Sequence, residues 1–260
     1  MAVETLAELG AKDVLMEYLR SDRSIIKDAV VRHAEESVRS TAARELARWQ
    51  SDEVFECLHE VSLGQLLPGI VEALGSFRRP EAMPYFLRAL GDGICRSCAE
   101  EAIRKLGETA KPHLFQAVDS PSPSAEEEIP SSLQRRRWAL RILSDLKLTE
   151  EDWPGLQKLL YEDDPEIVIT TARISLATAP TPDKWRGVRC LIAMLPRADW
   201  FLRTEARAAL VQHFEIAREP IDDEIARRAK ANPKAQALDV VLRMLINLRD
   251  QVLESGVSPH

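Results

Sequence analysis

Cys95 and Cys98 form the pair of side chains whose spacing is most typical of metal or redox chemistry. Their Cys-x-x-Cys motif supplies two of the four ligands that a closed structural zinc site needs. No second pair and no nearby histidine completes that set. Cys98 also falls at a repeated sequence position that is held elsewhere by Val38 and Leu202. We therefore expect two small buried helix residues, with no metal site and no cofactor.

The sequence also lacks the common catalytic and nucleotide-binding motifs. The sequence contains no GxSxG, no phosphate-binding P-loop and no GxGxxG. Its carboxylate clusters, 163–164 and 222–224, fall at turns and helix starts, where the helix dipole favours negative charge. We expect these groups to cap helices, and we expect no catalytic residue and no enzyme activity.

The segment that organises the rest of the chain is Ser37–Trp49, which has the pattern of an amphipathic helix. Val38, Ala42 and Leu46 lie on its predicted core face. A small or apolar residue followed four places later by Leu recurs down the chain, as Ala42/Leu46, Ile70/Leu74, Ala102/Leu106, Ala139/Leu143, Ala172/Leu176 and Ala206/Leu210. Successive leucines are 28 (Leu46 to Leu74) to 37 residues apart (Leu106 to Leu143). A repeat of this length predicts an all-α solenoid of about six helix-turn-helix units.

The amino-acid composition favours a helical fold and disfavours nucleic-acid and membrane partners. Aromatic residues make up only 5% of the chain and glycine only 10 residues, which disfavours a sheet-rich fold. The net charge of −7 lowers the expectation of nucleic-acid binding. The N-terminus lacks the pattern of a signal peptide, and no apolar run approaches the roughly 20 residues of a membrane span. With only four cysteines, these features predict a cytoplasmic protein without a membrane partner.

We expect a single solenoid domain over 1–260. Cap helices occupy 1–36, with Ile25–Ala34 as a separate helix; repeats follow over 37–218, and cap helices over 219–260. A proline- and serine-rich insertion at 119–132 is predicted to be a loop or disordered. The predicted repeat helices are Glu53–Val61, Gln65–Leu74, Glu81–Leu90, Ile94–Leu106, Lys111–Val118, Ser131–Leu146, Glu150–Tyr161, Pro165–Ala177, Asp183–Leu195 and Trp200–Phe214. Asn232-Pro233 should separate two C-terminal helices, Asp222–Ala231 and a long capping helix at Lys234–Glu254.

Four stretches resemble the HEAT-like repeats first described in phycobilin lyases: GSFRRPEAMPYFLRALGD (75–92), LGETAKPHLFQAV (106–118), SVRSTAAREL (37–46) and FLRTEARAAL (201–210). Arg39 and Arg203 stand at that family's usual Arg position, whereas Leu67, Ala99 and Ile169 replace it in other units. The resemblance covers about 37–214 and implies a HEAT-repeat, armadillo-like solenoid. It also implies a general scaffold role, or a bilin lyase-like subunit that handles a chromophore.

Two other activities occur on similar architectures. Deoxyhypusine hydroxylases bind iron through several His-Glu pairs, but this sequence has one, His59-Glu60. Some HEAT-like DNA glycosylases hold nucleotides with aromatic residues in a basic cleft. We expect most of the five tryptophans to pack in the core instead: Trp49, Trp138, Trp153, Trp185 and Trp200.

The inner-helix face opposite the core is the predicted binding surface. The residues two and six places before each repeat leucine point away from it at 100° per residue. They are Arg44, Glu72, Arg104, Arg141, Ile174 and Ala208, and Ser40, Pro68, Glu100, Arg137, Thr170 and Thr204. We name five of them, Arg44, Glu72, Arg104, Arg137 and Arg141, the ridge, and predict that it binds an acidic segment of a protein partner. Ordinary solvated surface is the alternative, and the 119–132 loop could also fold back onto the ridge through Arg135–Arg137.

Overall fold

The structure is a computed structural model that describes residues 2–21, 27–124, 127–231 and 239–255. These residues form an almost entirely helical chain, which confirms the all-α prediction. The chain divides into an N-terminal unit, Met1–Leu146, and a C-terminal unit, Lys147–His260. The expectation of a single domain stays a prediction.

The N-terminal unit contains nine α-helices within the described residues. They are α1 (Ala2–Glu8), α2 (Lys12–Arg20), α3 (Ala29–Leu46), α4 (Asp52–Gly64), α5 (Pro68–Phe77), α6 (Met83–Leu90), α7 (Arg96–Leu106), α8 (Lys111–Asp119) and α9 (Pro130–Asp145). Short 3₁₀ helices at Pro80–Ala82 and Gly107–Ala110 lead into α6 and α8. The C-terminal unit contains α10 (Pro165–Thr178), α11 (Thr181–Met194), α12 (Trp200–Gln212), α13 (Phe214–Ala231) and α14 (Val240–Ser255).

The repeat pairs form the core of both units. All twelve side chains of the six predicted small/Leu pairs are buried, and the most exposed of them is Leu106 at 8%. The prediction that this pattern marks the core face is therefore confirmed. Val38, placed on the same face, is 41% exposed, so the predicted core stripe of α3 was too wide at that end.

Alternate helices of the N-terminal unit contact one another in chain order: α3 packs on α5, α5 on α7, and α7 on α9. Ser40 of α3 touches Gly69 of α5, and Arg44 one turn later pairs with Glu72. The contacts advance in the same direction along both helices, so α3 and α5 run parallel. The approach at Gly69 is so close that a β-carbon there would overlap the Ser40 backbone.

Two predicted helix assignments were wrong. Ile25–Ala34 and Ser37–Trp49 are not separate, because α3 runs without a break from Ala29 to Leu46. No glycine or proline interrupts residues 29–46, and the Asp28 carboxylate caps the start by accepting the Val30 and Val31 amides. Ile25 itself lies outside the described residues.

The predicted helix Glu150–Tyr161 is two short 3₁₀ helices, Glu150–Gly155 and Gln157–Tyr161. Pro154 lies inside the first, where it lacks an amide proton and clashes with the preceding turn. The indole Nε1 of buried Trp153 donates to Asp183 at 2.8 Å, which ties this segment to α11.

The insertion and the C-terminus differ from prediction at their borders. Within 119–132, β1 (Pro123–Ser124) pairs antiparallel with β2 (Glu127–Glu128), and 130–132 already belong to α9. Residues 125–126 lie outside the described ranges. Helix α13 starts at Phe214 instead of Asp222 and continues through Pro220, which is buried. The predicted break at Asn232-Pro233 also falls outside the described residues, so for the last helix the structure gives only 240–255.

Candidate functional site

The ridge residues lie on four successive contacting helices of the N-terminal unit, α3, α5, α7 and α9. Arg44 Nε forms an ion pair with Glu72, and Arg44 Nη2 donates to the same carboxylate at 3.3 Å. On the next helix, Cys98 Sγ donates to Glu72 Oε1 at 3.2 Å. The guanidinium of Arg44 and the Cys98 thiol hold the pKa of Glu72 below its ordinary value, against the opposite effect of burial.

Arg104 carries the row from α7 to α9. Its Nη2 lies 2.9 Å from Glu100 Oε1, and its Nη1 lies 2.6 Å from Asp145 Oδ2. Carboxylates of this chain therefore already neutralise part of the positive charge of the ridge. A ligand carboxylate would meet Arg44 and Arg104 already engaged by carboxylates of this chain.

The indole of Trp138 lies close to two arginines beside this row. The guanidinium carbon of Arg96 lies 5.2 Å from the indole centroid, and that of Arg141 lies 5.4 Å from it. Both distances fall within the range of cation–π attraction. We name Arg96, Trp138 and Arg141 the cation–π cluster. Arg96 lies two helical turns before Arg104, so extending the ridge by one further turn would have found it.

The tryptophan prediction was only partly right. Trp153 is buried, and Trp49, Trp138 and Trp185 are half-buried. Trp200 is 78% exposed at the start of α12 and packs in no core. Trp200 is the first residue of α12, and its side chain lies outside the face of α12 that packs in the core.

Arginines at one repeat position have a structural role instead. Arg39, Arg136 and Arg203 each lie seven residues before a repeat leucine, and each donates to a carbonyl at the end of a preceding helix. The acceptors are Leu19 and Ser21 for Arg39, Val118 for Arg136 and Leu195 for Arg203. Helix C-termini lack partners for their last carbonyls, so these arginines act as caps from the next repeat. Arg136 was missed by sequence comparison, although its position could have been counted from Leu143.

The outward face predicted for the C-terminal unit was wrong on α10. Thr170 is 2% exposed and Ile174 is 4% exposed, because α10 contacts α11, α12 and the second 3₁₀ helix on different sides. Ser40 on α3 is also buried, since Gly69 brings α5 against it. The assumed split between one core face and one solvent face fails wherever a helix is surrounded.

The cysteines and the His-Glu pair that the sequence offers as metal ligands make other contacts in the structure. Cys95 is buried, but Cys98 is only half-buried, so it does not occupy a core position as predicted. Burial, the hydrogen bond to Glu72 and the charge of Glu72 raise the pKa of Cys98 to about 11. The His59 ring stacks on Phe55, and Glu60 pairs with Arg20 at 2.9 Å. In the described ranges no three His, Cys, Asp or Glu side chains are grouped to hold a metal ion.

Comparison with known proteins adds no assignment. No protein-family model matches the chain, and the curated proteins give no significant match. The HEAT-like resemblance therefore stays a prediction. No helix in the described part of the chain is both long and apolar enough to cross a membrane.

Proposed function

We propose that this chain is a cytoplasmic, non-enzymatic HEAT-like solenoid that binds an acidic segment of a partner protein along the ridge. The observation that carries the proposal is the cation–π cluster. The half-buried Trp138 ring lies within 5.4 Å of two guanidinium groups, and the cluster spans α7 and α9, the helices that carry Arg104 and Arg137. Tryptophan and arginine are the residues most enriched among those that dominate protein interfaces.

The charge of this surface favours an acidic ligand. Along the ridge side of α7 and α9 the charged side chains comprise four arginines and two carboxylates: Arg96, Arg104, Arg137, Arg141, Glu100 and Asp145. The exposed Glu101 and Lys105 of α7 pair with each other at 2.8 Å and add no net charge. Arg96 has no carboxylate partner within the described residues, so its charge is available to a ligand. The ion pairs of Arg104 fix its guanidinium in place and give the surface a defined shape. We therefore expect an acidic peptide to bind across α7 and α9, with an apolar contact to Trp138.

Selection of random peptides displayed on phage tests this proposal without a known partner. Enriched peptides should carry several Asp or Glu residues. Their binding should fall at least about tenfold in Arg141→Glu and in Trp138→Ala, because each change removes one part of the cluster. Pull-down with Arg104→Glu and Arg141→Glu should show the same loss for a cellular partner.

Lys105→Glu is the matched control, since Lys105 lies next to Arg104 on α7 and is rotated about 100° from it. This variant reverses one charge but should retain binding. Thermal unfolding of each variant shows whether the fold is intact. Peptides without acidic residues, or peptides that bind all variants equally, would remove the ridge from the proposal.

A further inference from the structure

A cavity of about 540 Å³ lies in the N-terminal unit, on the other side of α9 from the ridge. It is open to solvent on one side and is lined by α6, α8, the first turns of α9, and Ser120, Ser122 and Ile129 between α8 and α9. The volume is in the range of cavities that hold small organic molecules. Arg135, which lines it, points about 200° away from Arg137 on the same helix.

The charge of this cavity is opposite to that of the whole protein. The chain has 42 acidic residues and a net charge of −7, yet no Asp or Glu is among the described residues that line the cavity. Two arginines and a histidine do, Arg88, Arg135 and His113, together with serine hydroxyls. Such a lining favours an anionic ligand.

Neither arginine is neutralised by a carboxylate in the described part of the chain. Arg135 Nη2 donates to the Ser120 carbonyl at 2.7 Å and to Ser132 Oγ at 3.2 Å. Its Nε is buried and has no acceptor among the residues that the structure describes. Arg88 Nη2 donates to the Ser62 carbonyl at 2.5 Å. A buried guanidinium N–H without an acceptor is costly, and an oxyanion would supply the missing one.

The first turn of α9 adds further donors. Ile129 precedes the helix, and no side chain caps its amide groups. Ser131 and Ser132, in that first turn, both line the cavity. Pro130 has no amide proton and the Ser132 amide donates to the Ile129 carbonyl at 3.0 Å, which leaves the Ser131 amide as the backbone donor of this turn within the described residues. That amide and the positive end of the helix dipole favour an anion at this place. Aliphatic side chains of Pro84, Leu87 and Ile129 form the remaining wall.

We propose that this cavity binds a small organic oxyanion, a phosphate ester or a carboxylate, whose charged group meets Arg135 and Arg88 and whose short apolar part contacts the aliphatic wall. The shared chemistry is an oxyanion on an aliphatic body. The site is separate from the ridge, so it adds a small-molecule function to the proposed protein binding.

Isothermal titration calorimetry with four probes tests the inference: n-butyl phosphate, butyrate, inorganic phosphate and n-butanol. At least one of the two butyl anions should bind saturably and more tightly than inorganic phosphate or butanol. The anion that binds identifies a phosphate or a carboxylate ligand. Arg135→Gln and Arg88→Gln should each weaken binding about tenfold or more, since a charge-assisted hydrogen bond is lost.

Arg137→Gln is the matched control, because it removes an arginine from α9 on the opposite side and should leave binding unchanged. Two separate arginine variants guard against a folding defect in one of them, and thermal unfolding identifies such a defect. The inference is overturned if neither butyl anion binds saturably. It is also overturned if binding is equal in Arg135→Gln, Arg88→Gln and the wild type.

Discussion

The ridge and the anion cavity lie on two sides of α9, and they treat their arginines in opposite ways. On the ridge, Arg44 and Arg104 are paired with carboxylates of this chain, Glu72, Glu100 and Asp145. In the cavity, the hydrogen bonds of Arg88 and Arg135 within the described residues go to neutral oxygens, and Arg88 also lies 5.3 Å from the centroid of the Tyr85 ring. An anionic ligand must compete with these carboxylates for Arg44 and Arg104. In the cavity it would instead supply the counter-charge that Arg88 and Arg135 lack within the described residues.

The difference shows that the number of arginines on a surface is a poor guide to its affinity for anions. What matters is which group already compensates each charge. Exposed ion pairs contribute little free energy, typically 0 to about 1 kcal/mol, but they orient side chains. We therefore expect the ridge to give shape and specificity, and the cavity to give the stronger response to a small anion.

Gly69→Ala has the largest expected effect and acts at the contact between α3 and α5, two of the helices that carry the ridge. The added methyl would overlap the backbone of Ser40, so α3 and α5 must separate. We expect the free energy of unfolding to fall by about 3 kcal/mol, measured by urea denaturation. Under conditions where the variant remains folded, peptide binding to the ridge should weaken, while the cavity, which α3 and α5 do not line, should still bind its anion.

Gly64→Ala is the control for that change. Gly64 is the last residue of α4, and nothing lies within contact distance of a methyl group there. Its unfolding free energy should stay within about 1 kcal/mol of the wild type. Equal stability of the two variants would show that α3 and α5 are not in close contact at Gly69.

Arg136→Met has an expected effect of similar size and acts between the two surfaces. Arg136 has a side chain only 5% exposed, and it pairs with Glu128 at 2.8 Å while donating to the Val118 carbonyl at 2.7 Å. Its removal leaves the Glu128 carboxylate, which has little solvent and still accepts from Ser132 Oγ, without its counter-charge, and it removes this donor from the Val118 carbonyl. We expect a loss of about 3 kcal/mol in unfolding free energy.

The double variant Arg136→Met/Glu128→Gln should recover part of that loss, because it removes the unpaired charge. Denaturation of the single and double variants measures this coupling. If the double variant is less stable than the sum of both single changes, the ion pair is not the source of the effect.

These features differ in how far the sequence predicts them. The buried repeat pairs follow from local periodicity alone, so Ala42/Leu46 and its five counterparts were placed correctly. The continuity of α3 was also local information, since no breaker separates 34 from 37, but repeat alignment obscured it. Arg136 was recoverable from the same count that identified Arg39 and Arg203.

The cavity could not be predicted from the sequence. Its lining comes from α6, α8, the joining segment and α9, and depends on how these elements pack. Arg135, Arg136 and Arg137 are identical in sequence terms, yet one lines a cavity, one is buried in an ion pair and one lies on the ridge. Successive side chains on a helix are rotated by about 100°, so the three arginines point in different directions. The packing of neighbouring helices decides which of these directions faces the cavity, the core or the ridge.

The alkylation rate of Cys98 measures how completely Arg44 neutralises the charge of Glu72. This prediction involves the smallest expected change in stability. Its pKa is raised to about 11 by burial, by its hydrogen bond to Glu72 and by the charge of Glu72, while Arg44 acts in the opposite direction. The thiolate is the reactive form, and at pH 8 only about one Cys98 side chain in a thousand is ionised. Alkylation of Cys98 should therefore be slow at pH 8 and should rise steeply up to about pH 11.

Glu72→Gln should lower the pKa of Cys98 and speed its alkylation at pH 8 several-fold, because the neighbouring negative charge is gone. Peptide mass mapping after timed iodoacetamide labelling measures this rate. Cys190 is the internal control, since burial alone raises the pKa of that thiol and Glu72 plays no part. An unchanged rate at Cys98 would mean that Arg44 already cancels the field of Glu72. The ridge would then be electrically neutral at α3 and α5, and acidic ligands would be expected only across α7 and α9.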